Sequence, residues 1–303
     1  MIENESVLVS VIIPCYNHEQ FIQKSIQSII DQDYENIELI IIDDGSKDKS
    51  VTKIQEMYSQ CVKRFIRFEF RSRPNIGLSA TLNEALEWVK GDYWAPCASD
   101  DFYHKNRVSS QIDFFLENKF YDFCVTKSYV VNDIDEVLLK QTESYNSNLN
   151  KEIKFNDVFT FKVHLPVTGM YNTGFFRSEI GFFDTSLAAE DYDLNLKLVN
   201  QVDIGIVHKK LYYYRSPGAV GGSRKRKSMR IEVSESHLKT INKYSNHSAY
   251  KQALKEWNYR RFIFFSPYTD TKIYAFKGML FSIRKINKLD YYKSWIKLIL
   301  IWK

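Results

Sequence analysis

Several common signatures are absent from this chain of 303 residues. No CxxC pair occurs among the four cysteines, Cys15, Cys61, Cys97 and Cys124, and their uneven spacing matches neither a zinc site nor a disulfide framework. We therefore expect reduced thiols, as in a cytosolic protein. No stretch reaches about 18 apolar residues, and residues 1–10 contain no apolar signal segment, so the sequence predicts neither a membrane-spanning helix nor a secretory leader.

The glycine-rich loops that hold phosphate groups in many nucleotide-binding proteins are also absent. No GxGxxG follows the first apolar run and no GxxxxGKS/T occurs anywhere, which argues against a dinucleotide-dependent dehydrogenase and a P-loop NTPase. The six histidines form no HxxxH or HExxH pattern. His18 and His104 follow predicted strand ends. We expect ordinary surface positions for both, and contact with a ligand is the alternative. A bound phosphate would have to be held by a metal ion and side chains.

Acidic and basic residues are unevenly distributed along the chain. Residues 221–303 contain 19 Lys and Arg against 5 Asp and Glu, a net charge of +14, whereas residues 1–220 contain 23 against 32, a net charge of −9. This difference predicts a boundary near residue 220, with a catalytic domain at 1–220 and a basic, aromatic-rich helical region at 221–303.

Short apolar runs alternate with helical patterns in the first part of the chain. The runs that predict strands are 7–13, 37–42, 65–70, 93–98 and 123–125. Helices are predicted between them, near 22–30, 48–58, 82–89 and 105–117. This alternation predicts an α/β domain with a mostly parallel sheet flanked by helices. Ligands of such sheets bind beyond the carboxyl ends of the strands.

Polar residues follow three of the predicted strands. Residues 16–17 end the first strand, Asp43 and Asp44 end the second, and Asp100 and Asp101 end the fourth. Four carboxylates at one edge repel each other unless a cation or hydrogen-bond donors relieve the repulsion. Asp100 and Asp101 are the better metal candidates, since Mg²⁺ and Mn²⁺ bridge carboxylates to substrate phosphates. Turn formation and helix capping are the alternative roles of such pairs.

The order of the motifs resembles that of family 2 glycosyltransferases, the large inverting group with the GT-A fold. Five segments carry the resemblance: 9–17 (VSVIIPCYN), 41–46 (IIDDGS), 75–77 (NIG) with Asn83 downstream, 91–101 (GDYWAPCASDD) and 190–193 (EDYD). They occur in the family's order and span roughly residues 7–215. The resemblance implies a GT-A type fold and a nucleotide-diphosphate sugar as the donor.

The resemblance also implies a nucleotide site at the ends of the first strands. Tyr16 and Asp44 would contact the base, and Pro14 and Asp43 would shape that pocket. Asn75 belongs to the segment that follows and is included in the predicted nucleotide site.

A metal site is implied at the fourth strand. Asp101 would bind Mn²⁺ or Mg²⁺ bridging the diphosphate, and Asp100 would contact the ribose or share the metal. The sequence departs from the family at Ala98, where many members have aspartate, and after residues 214–215, where residues 216–218 replace a common histidine.

The resemblance assigns the catalytic base to Asp191. A sugar hydroxyl is a poor nucleophile until its proton is removed in the transition state, and a carboxylate within hydrogen-bond reach can accept that proton. Glu190 is adjacent, about 100° away on a helix, so only one of the two can point squarely into a site. Asp193 is a less favoured alternative base. A purely structural explanation of these acidic residues is that they stabilise a helix N-terminus.

Helical patterns in the C-terminal region predict a basic amphipathic surface. Trp295, Leu298, Ile299 and Trp302 share one face, with lysines beside it. Such helices suit an anionic membrane surface, and packing on the catalytic domain is an equally favoured alternative. Nucleic-acid binding is not expected, since no nucleic-acid motif accompanies the charge.

These observations predict a cytoplasmic inverting glycosyltransferase, peripheral at the inner face of the membrane, that uses a UDP-linked donor. Its acceptor would be a saccharide or lipid-linked saccharide in bacterial surface polysaccharide or glycoconjugate synthesis. The alternative is a catalytically weak sugar-nucleotide-binding or membrane scaffold protein, to which Ala98 and the missing histidine point. A nucleotidyltransferase would need a glycine-rich phosphate loop that residues 14–17 do not provide.

Overall fold

A computed structural model describes residues 7–216, 230–282 and 288–300. The strands are β1 (Val9–Cys15), β2 (Ile37–Asp43), β3 (Arg67–Ser72), β4 (Tyr93–Pro96), β5 (Phe102–Tyr103), β6 (Phe123–Val131), β7 (Met170–Asn172) and β8 (Gly205–Arg215). The described strands form one sheet in the order β3-β2-β1-β4-β7-β6-β8-β5. Strands β1 to β4 are parallel, β7 is antiparallel to β4 and β6, and β8 is parallel to β6. The predicted, mostly parallel sheet is confirmed.

Helices connect the strands and form the C-terminal region. They are α1 (Ile22–Ile30), α2 (Ser50–Glu56), α3 (Tyr58–Arg64), α4 (Leu78–Trp88), α5 (Arg107–Glu117), α6 (Leu139–Asn146), α7 (Phe155–Phe159), α8 (Thr173–Phe175), α9 (Glu190–Gln201), α10 (Ile231–Lys243), α11 (Tyr250–Phe265), α12 (Lys272–Phe281) and α13 (Leu289–Leu300). None of the helices in the described ranges is long and apolar enough to cross a membrane.

The core lies on both faces of the parallel strands. Every residue of β2 is buried, as expected for a parallel strand covered on both faces. Ile22, Ile26 and Ile29 repeat at helical spacing on α1, and all three are buried in the same core cluster. Gly91 precedes β4 where a Cβ atom would lie 2.7 Å from the Leu8 carbonyl oxygen, so this close approach of two backbones requires glycine.

The chain divides into two compact units. The first contains residues 1–153, 165–185 and 197–224, and the second contains 154–164, 186–196 and 225–303. The sheet belongs to the first unit. In the second, a separate apolar cluster includes Phe262 and Phe265 of α11, Ala275 of α12 and Tyr291 of α13. The boundary expected near residue 220 stays a prediction about domain organisation.

Candidate active site

The second-strand motif forms a tight turn at the carboxyl end of β2. The carboxylate of Asp43 is buried and accepts hydrogen bonds from the Ser46 amide at 3.0 Å, from the Ser46 hydroxyl and from the Ser72 hydroxyl at 3.1 Å. Gly45 between them has φ of 74°, a left-handed conformation that favours glycine. Asp43 therefore holds the turn and joins it to the end of β3.

Asp44 joins the same turn to residues 73–77. Its carboxylate forms a salt bridge with Arg73 and accepts the Ile76 and Gly77 amides at 2.8 and 3.0 Å. The Asn75 side chain donates to the Asp44 carbonyl oxygen at 2.8 Å. The structure thus brings together two segments that are about 30 residues apart in sequence. The predicted contacts of Asp44 and Asn75 with a nucleotide stay predictions.

The end of β1 meets this turn from the other side. Asn17 adopts φ of 54°, its amide donates to the Ser46 hydroxyl at 2.8 Å, and its side-chain oxygen accepts the Lys47 amide at 2.7 Å. Pro14 lies inside β1 beside Ile42 of β2. The Tyr16 side chain remains 43% exposed, although it sits between these buried segments. An open aromatic face at the carboxyl end of parallel strands is suited to stacking against a base.

Asp101 is enclosed at the end of β4. Its carboxylate is buried and accepts the Tyr212 hydroxyl at 2.8 Å and the Arg215 amide at 2.7 Å. Burial, together with the nearby charge of Asp100, raises the pKa of Asp101 to about 8, against the two hydrogen bonds, which lower it. A cation at this position would oppose that rise, because it favours the ionised carboxylate.

Asp100 is the more accessible member of the pair. Its side chain is 13% exposed, and its Oδ2 lies 3.9 Å from Nε2 of His18, whose Nδ1 is 2.7 Å from the Ser99 hydroxyl. Arg215 donates from Nε to the Asp100 carbonyl oxygen at 2.7 Å, which ties this turn to the end of β8. Within the described ranges no three His, Cys, Asp or Glu side chains form a metal-binding group. A metal here would need ligand oxygens from a substrate, as is usual for Mg²⁺ at phosphates.

Glu190 and Asp191 begin α9 in the second unit. Burial raises the pKa of Glu190 to about 7, with a further contribution from the charge of Asp191. Burial also raises the pKa of Asp191, against the Tyr192 amide that donates to its Oδ1 at 2.8 Å. Asp191 is nevertheless an exposed residue, so solvent can reach it although protein surrounds much of its carboxylate. A recessed carboxylate of this kind can accept a proton near neutral pH.

The alternative base Asp193 has a different environment. It is buried, and its carboxylate accepts a hydrogen bond from Lys243 of α10 at 2.7 Å. That ion pair gives Asp193 a role in holding α9 against α10.

The structure gives local roles to two features of the first unit, the start of the 91–101 motif and His104, for which the sequence left contact with a ligand as an alternative. Gly91 and Asp92 lie at the amino end of β4, where Asp92 accepts the Leu8 amide at 2.9 Å, so this part of the motif is structural. His104 accepts the Asn106 amide at 3.3 Å and supports the turn before α5. Arg73, Tyr212 and Arg215, which hold the acidic residues, were not predicted, because single basic and aromatic residues give no local pattern.

Comparison with known proteins identifies the family. Residues 10–178 match the family described as glycosyl transferase family 2. An uncharacterized glycosyltransferase of Rickettsia typhi is 31% identical over 212 residues, which cover 68% of this chain and 63% of that relative. The chain therefore belongs to glycosyl transferase family 2, a family of transferase enzymes, as the motifs predicted. It spans less than two thirds of the length of that relative.

Solved structures agree on the fold. TarS of S. aureus superposes with a TM-score of 0.65 at 18% identity, covering 96% of this chain and 53% of TarS. A TarS 1-349 structure is in complex with UDP-GlcNAc. The mannosyltransferase PcManGT of Pyrobaculum calidifontis, in complex with GDP-Man and Mn²⁺, superposes with a TM-score of 0.61 at 12% identity, covering 97% of this chain and 85% of the enzyme. The predicted GT-A type fold is confirmed.

Proposed function

We propose that this protein is an inverting glycosyltransferase that moves a sugar from a UDP-linked donor to an acceptor hydroxyl in bacterial surface polysaccharide or glycoconjugate synthesis. The observation that carries the proposal is the assembly at the carboxyl ends of β1, β2 and β3, where the exposed Tyr16 ring adjoins the turn held by Asp43 and Asp44. Similarity to TarS, solved with UDP-GlcNAc, supports UDP, while PcManGT, solved with GDP-Man, makes GDP the alternative.

A divalent metal, Mn²⁺ or Mg²⁺, fits the acidic turn after β4. When bound, such an ion would neutralise charge that develops on the leaving diphosphate. Asp101 is buried and accepts one hydrogen bond on each carboxylate oxygen, whereas Asp100 is 13% exposed, so we propose Asp100 as the first metal contact and keep Asp101 as the second ligand. The Mn²⁺ in the structure of PcManGT supports a metal-assisted reaction.

Asp191 is the proposed base. Its carboxylate would accept the proton of the acceptor hydroxyl as that oxygen attacks the anomeric carbon, and a single in-line displacement inverts the configuration there. The Asp193 carboxylate forms an ion pair with Lys243, which leaves Glu190 as the alternative base. With a pKa of about 7, Glu190 is protonated in about half of the molecules at neutral pH, and only the ionised half can accept the proton, so we rank it second to Asp191.

Thermal-shift measurements with UDP-, GDP- and dTDP-sugars, with and without Mn²⁺, test nucleotide and metal together. A ligand at about 100 times its Kd should add about 2.7 kcal/mol of stability, and we expect the largest rise with the UDP-sugar plus Mn²⁺. Asp100→Asn should remove the Mn²⁺-dependent part, whereas Asp113→Asn, on the exposed side of α5, should leave it unchanged. Equal Mn²⁺ responses of Asp100→Asn and the parent, with loss in Asp101→Asn, would return the metal to Asp101.

Measurement of turnover distinguishes this enzyme from the alternative, a catalytically weak sugar-nucleotide-binding or scaffold protein. It predicts the same thermal shifts, but neither transfer to an acceptor nor donor hydrolysis above background. The exposed Asp191 carboxylate near the start of α9 favours the enzyme.

We also propose that the C-terminal helices bind an anionic membrane surface. On α13, Trp295, Ile296 and Ile299 are 48%, 49% and 45% exposed, and Lys293 and Lys297 lie on the same helix. Leu298 packs into the apolar cluster of the second unit instead, and Trp302 lies outside the described residues. Near an anionic surface each basic residue contributes about 1 kcal/mol, so the net +14 of residues 221–303 supports this partner.

Co-sedimentation of the full chain with vesicles containing anionic lipid tests this proposal. Trp295→Ser combined with Ile299→Ser should reduce recovery, and Phe120→Ser, which removes a 73% exposed ring from the first unit, is the matched control. Recovery should fall with salt, since exposed charges are screened over about 10 Å at 0.1 M. Salt-insensitive recovery that is equal in all three proteins would rule the membrane out.

A further inference from the structure

A group of aromatic and basic side chains in the second unit has no role in the reaction described above. We call it the Phe161 cluster, and it consists of Phe161, His164, Tyr192, His237 and Arg260. The ring of Phe161 is stacked on Tyr192 at a centroid distance of 4.6 Å. The ring centroids of His237 and His164 lie 5.4 and 6.4 Å from that of Phe161, and the guanidinium carbon of Arg260 lies 4.8 Å from it.

The backbone at the centre of this cluster is strained. Phe161 has φ of 56°, a left-handed conformation that is unusual for a bulky residue. The amides of the next two residues, 162 and 163, both donate to the Asp157 carbonyl oxygen, at 2.9 and 3.0 Å, and hold the turn. Strain of this kind persists where the surrounding structure enforces it, and such places are enriched in ligand sites. Here it places the Phe161 ring beneath the guanidinium of Arg260.

Arg260 is poorly satisfied for a charged side chain. Its Nε is buried and has no hydrogen-bond partner within the described part of the chain, where its guanidinium lies over the rings of Phe161 and Phe264. Burial lowers the pKa of Arg260, against the charges of Tyr192 and Glu256, which raise it. An arginine presents five N–H donors, and leaving the buried Nε donor without a partner is unfavourable.

The neighbour Arg261 shows what a satisfied arginine looks like on the same helix. Its Nε donates to the Tyr274 carbonyl oxygen at 2.8 Å, and its guanidinium covers the rings of Trp257 and Tyr274. Arg261 therefore has the structural role of joining α11 to α12, and Arg260 lacks the equivalent hydrogen bond.

The charge of Arg260 acts on both histidines. Burial, then the charge of Arg260, lowers the pKa of His237 to about 3 and that of His164 to about 4. His237 is buried, while His164 keeps surface open to solvent, so the cluster is accessible from one side. An anion beside these three groups would pair with Arg260 and favour protonated, donating imidazoles.

We propose that the Phe161 cluster binds a phosphate-type oxyanion through Arg260, His164 and His237. A phosphate is favoured over a carboxylate because its tetrahedral oxygens can accept donors that converge from three separate segments, whereas the acceptor sites of a carboxylate lie in one plane. The position suggests a source. Tyr192, which stacks on Phe161, directly follows the candidate base Asp191 in α9. Resting on the proposed function, we assign the anion to a phosphate group of the acceptor.

The first test measures the stability of the whole chain with inorganic phosphate against chloride at equal ionic strength. Phosphate should raise Tm of the parent and of Arg261→Met, but not of Arg260→Met. In chloride, Arg260→Met should unfold at the same or a higher temperature than the parent, because it removes a partly buried charge whose Nε donor has no hydrogen-bond partner, and keeps an apolar side chain. Arg261→Met should unfold at a lower temperature. A lower Tm of Arg260→Met in chloride, with an unchanged phosphate response, would overturn the proposal.

The second test uses the parent protein and does not depend on the folding of a variant. Phosphate should raise the pKa values of His164 and His237, observed by NMR of the imidazole Cε1–H groups, by about 1. The remaining four histidines serve as internal controls. Unchanged histidine titrations in phosphate and chloride would exclude the site.

Further ligands identify the source of the anion. Dimethyl phosphate should reproduce the response if the acceptor carries a phosphodiester, and methyl phosphate alone should do so if it carries a terminal phosphate. A larger response to acetate than to phosphate would show that the site binds a carboxylate and would overturn the phosphate assignment. Competition by UDP would overturn the acceptor assignment and place the site with the donor. None of these measurements needs sugar transfer, so an inactive enzyme would disprove the proposed function without affecting the anion site.

Discussion

The carboxylates at the end of β2 and those at the start of α9 are all acidic residues within family motifs, but their surroundings differ. Asp43 and Asp44 are buried and accept hydrogen bonds from amides, hydroxyls and an arginine. At α9, Asp191 accepts the amide of the next residue, and burial raises the pKa values of both Glu190 and Asp191. Well-paired carboxylates hold loops in place, whereas poorly paired ones with raised pKa values are suited to proton transfer.

The largest expected effect is on transfer by Asp191→Asn. The amide has a similar shape but cannot accept the proton, so kcat should fall by about 10² or more while donor affinity stays within about twofold. Single-turnover transfer and donor titration measure the two quantities separately. Asp193→Asn is the matched control on the same helix. It breaks the pair with Lys243 and should lower Tm more than kcat. Near-normal turnover of Asp191→Asn would move the base to Glu190.

The second effect is on stability and concerns the sheet edge. Arg73→Met leaves the Asp44 carboxylate without its ionic partner in a site where both side chains are nearly buried. We expect a loss of about 3 kcal/mol in the free energy of unfolding, measured with urea. Arg71 also pairs with Glu84, but its side chain is 54% exposed, so Arg71→Met should change stability by less than about 1 kcal/mol. Equal losses in the two variants would show that Asp44 does not depend on Arg73.

Much of this first region could be predicted from the sequence, because its information is local. The apolar runs that became β1 and β2 are continuous, and the turn residues follow them directly. The helix expected at 48–58 is instead two helices, Ser50–Glu56 and Tyr58–Arg64, which meet at Met57. Strand β5 has two residues and β7 has three, too few for any period to be recognised. Their pairing depends on partners far away in the chain.

The Phe161 cluster could not be predicted for the same physical reason. His164, His237 and Arg260 come from three separate stretches of the second unit, and only packing around one strained phenylalanine brings them together. The sequence gives six scattered histidines and no spacing that joins two of them to an arginine. Even the favoured metal ligand changed with the structure. The family resemblance pointed to Asp101, whereas the greater exposure of Asp100 favours Asp100 as the first contact, and both roles stay predictions.

A third expected effect is on donor affinity. Tyr16→Ala removes the exposed ring at the end of β1, and stacking of a base on an aromatic side chain is worth about 1–3 kcal/mol. UDP affinity should therefore fall about tenfold, measured by calorimetry. Tyr58, at the start of α3, is 49% exposed and away from this turn, so Tyr58→Ala should leave affinity unchanged. A similar loss for both tyrosines would mean that the base does not stack on Tyr16.

The smallest expected effect is a pH-dependent change in stability at Glu190. Its pKa in the folded protein is about 7, above the ordinary value of 4.5. Between these two values the folded chain holds a proton that the unfolded chain has lost, so stability falls as pH rises through this window. Glu190→Gln stays neutral throughout and should therefore have a higher Tm than the parent at pH 8.

That advantage of Glu190→Gln should shrink as pH falls and vanish only well below pH 4.5, where the parent's Glu190 is protonated in both the folded and the unfolded state. Comparing Tm of the two proteins from this acidic limit to pH 8 measures it. Glu179→Gln is the control. Glu179 is exposed, so the difference in Tm between this variant and the parent should stay nearly constant over the same pH range. If Glu190→Gln behaves in the same way, Glu190 is ionised at neutral pH in the folded protein. Both acids at the start of α9 would then be candidates for the base, and the contrast with the sheet edge would rest on Asp191 alone.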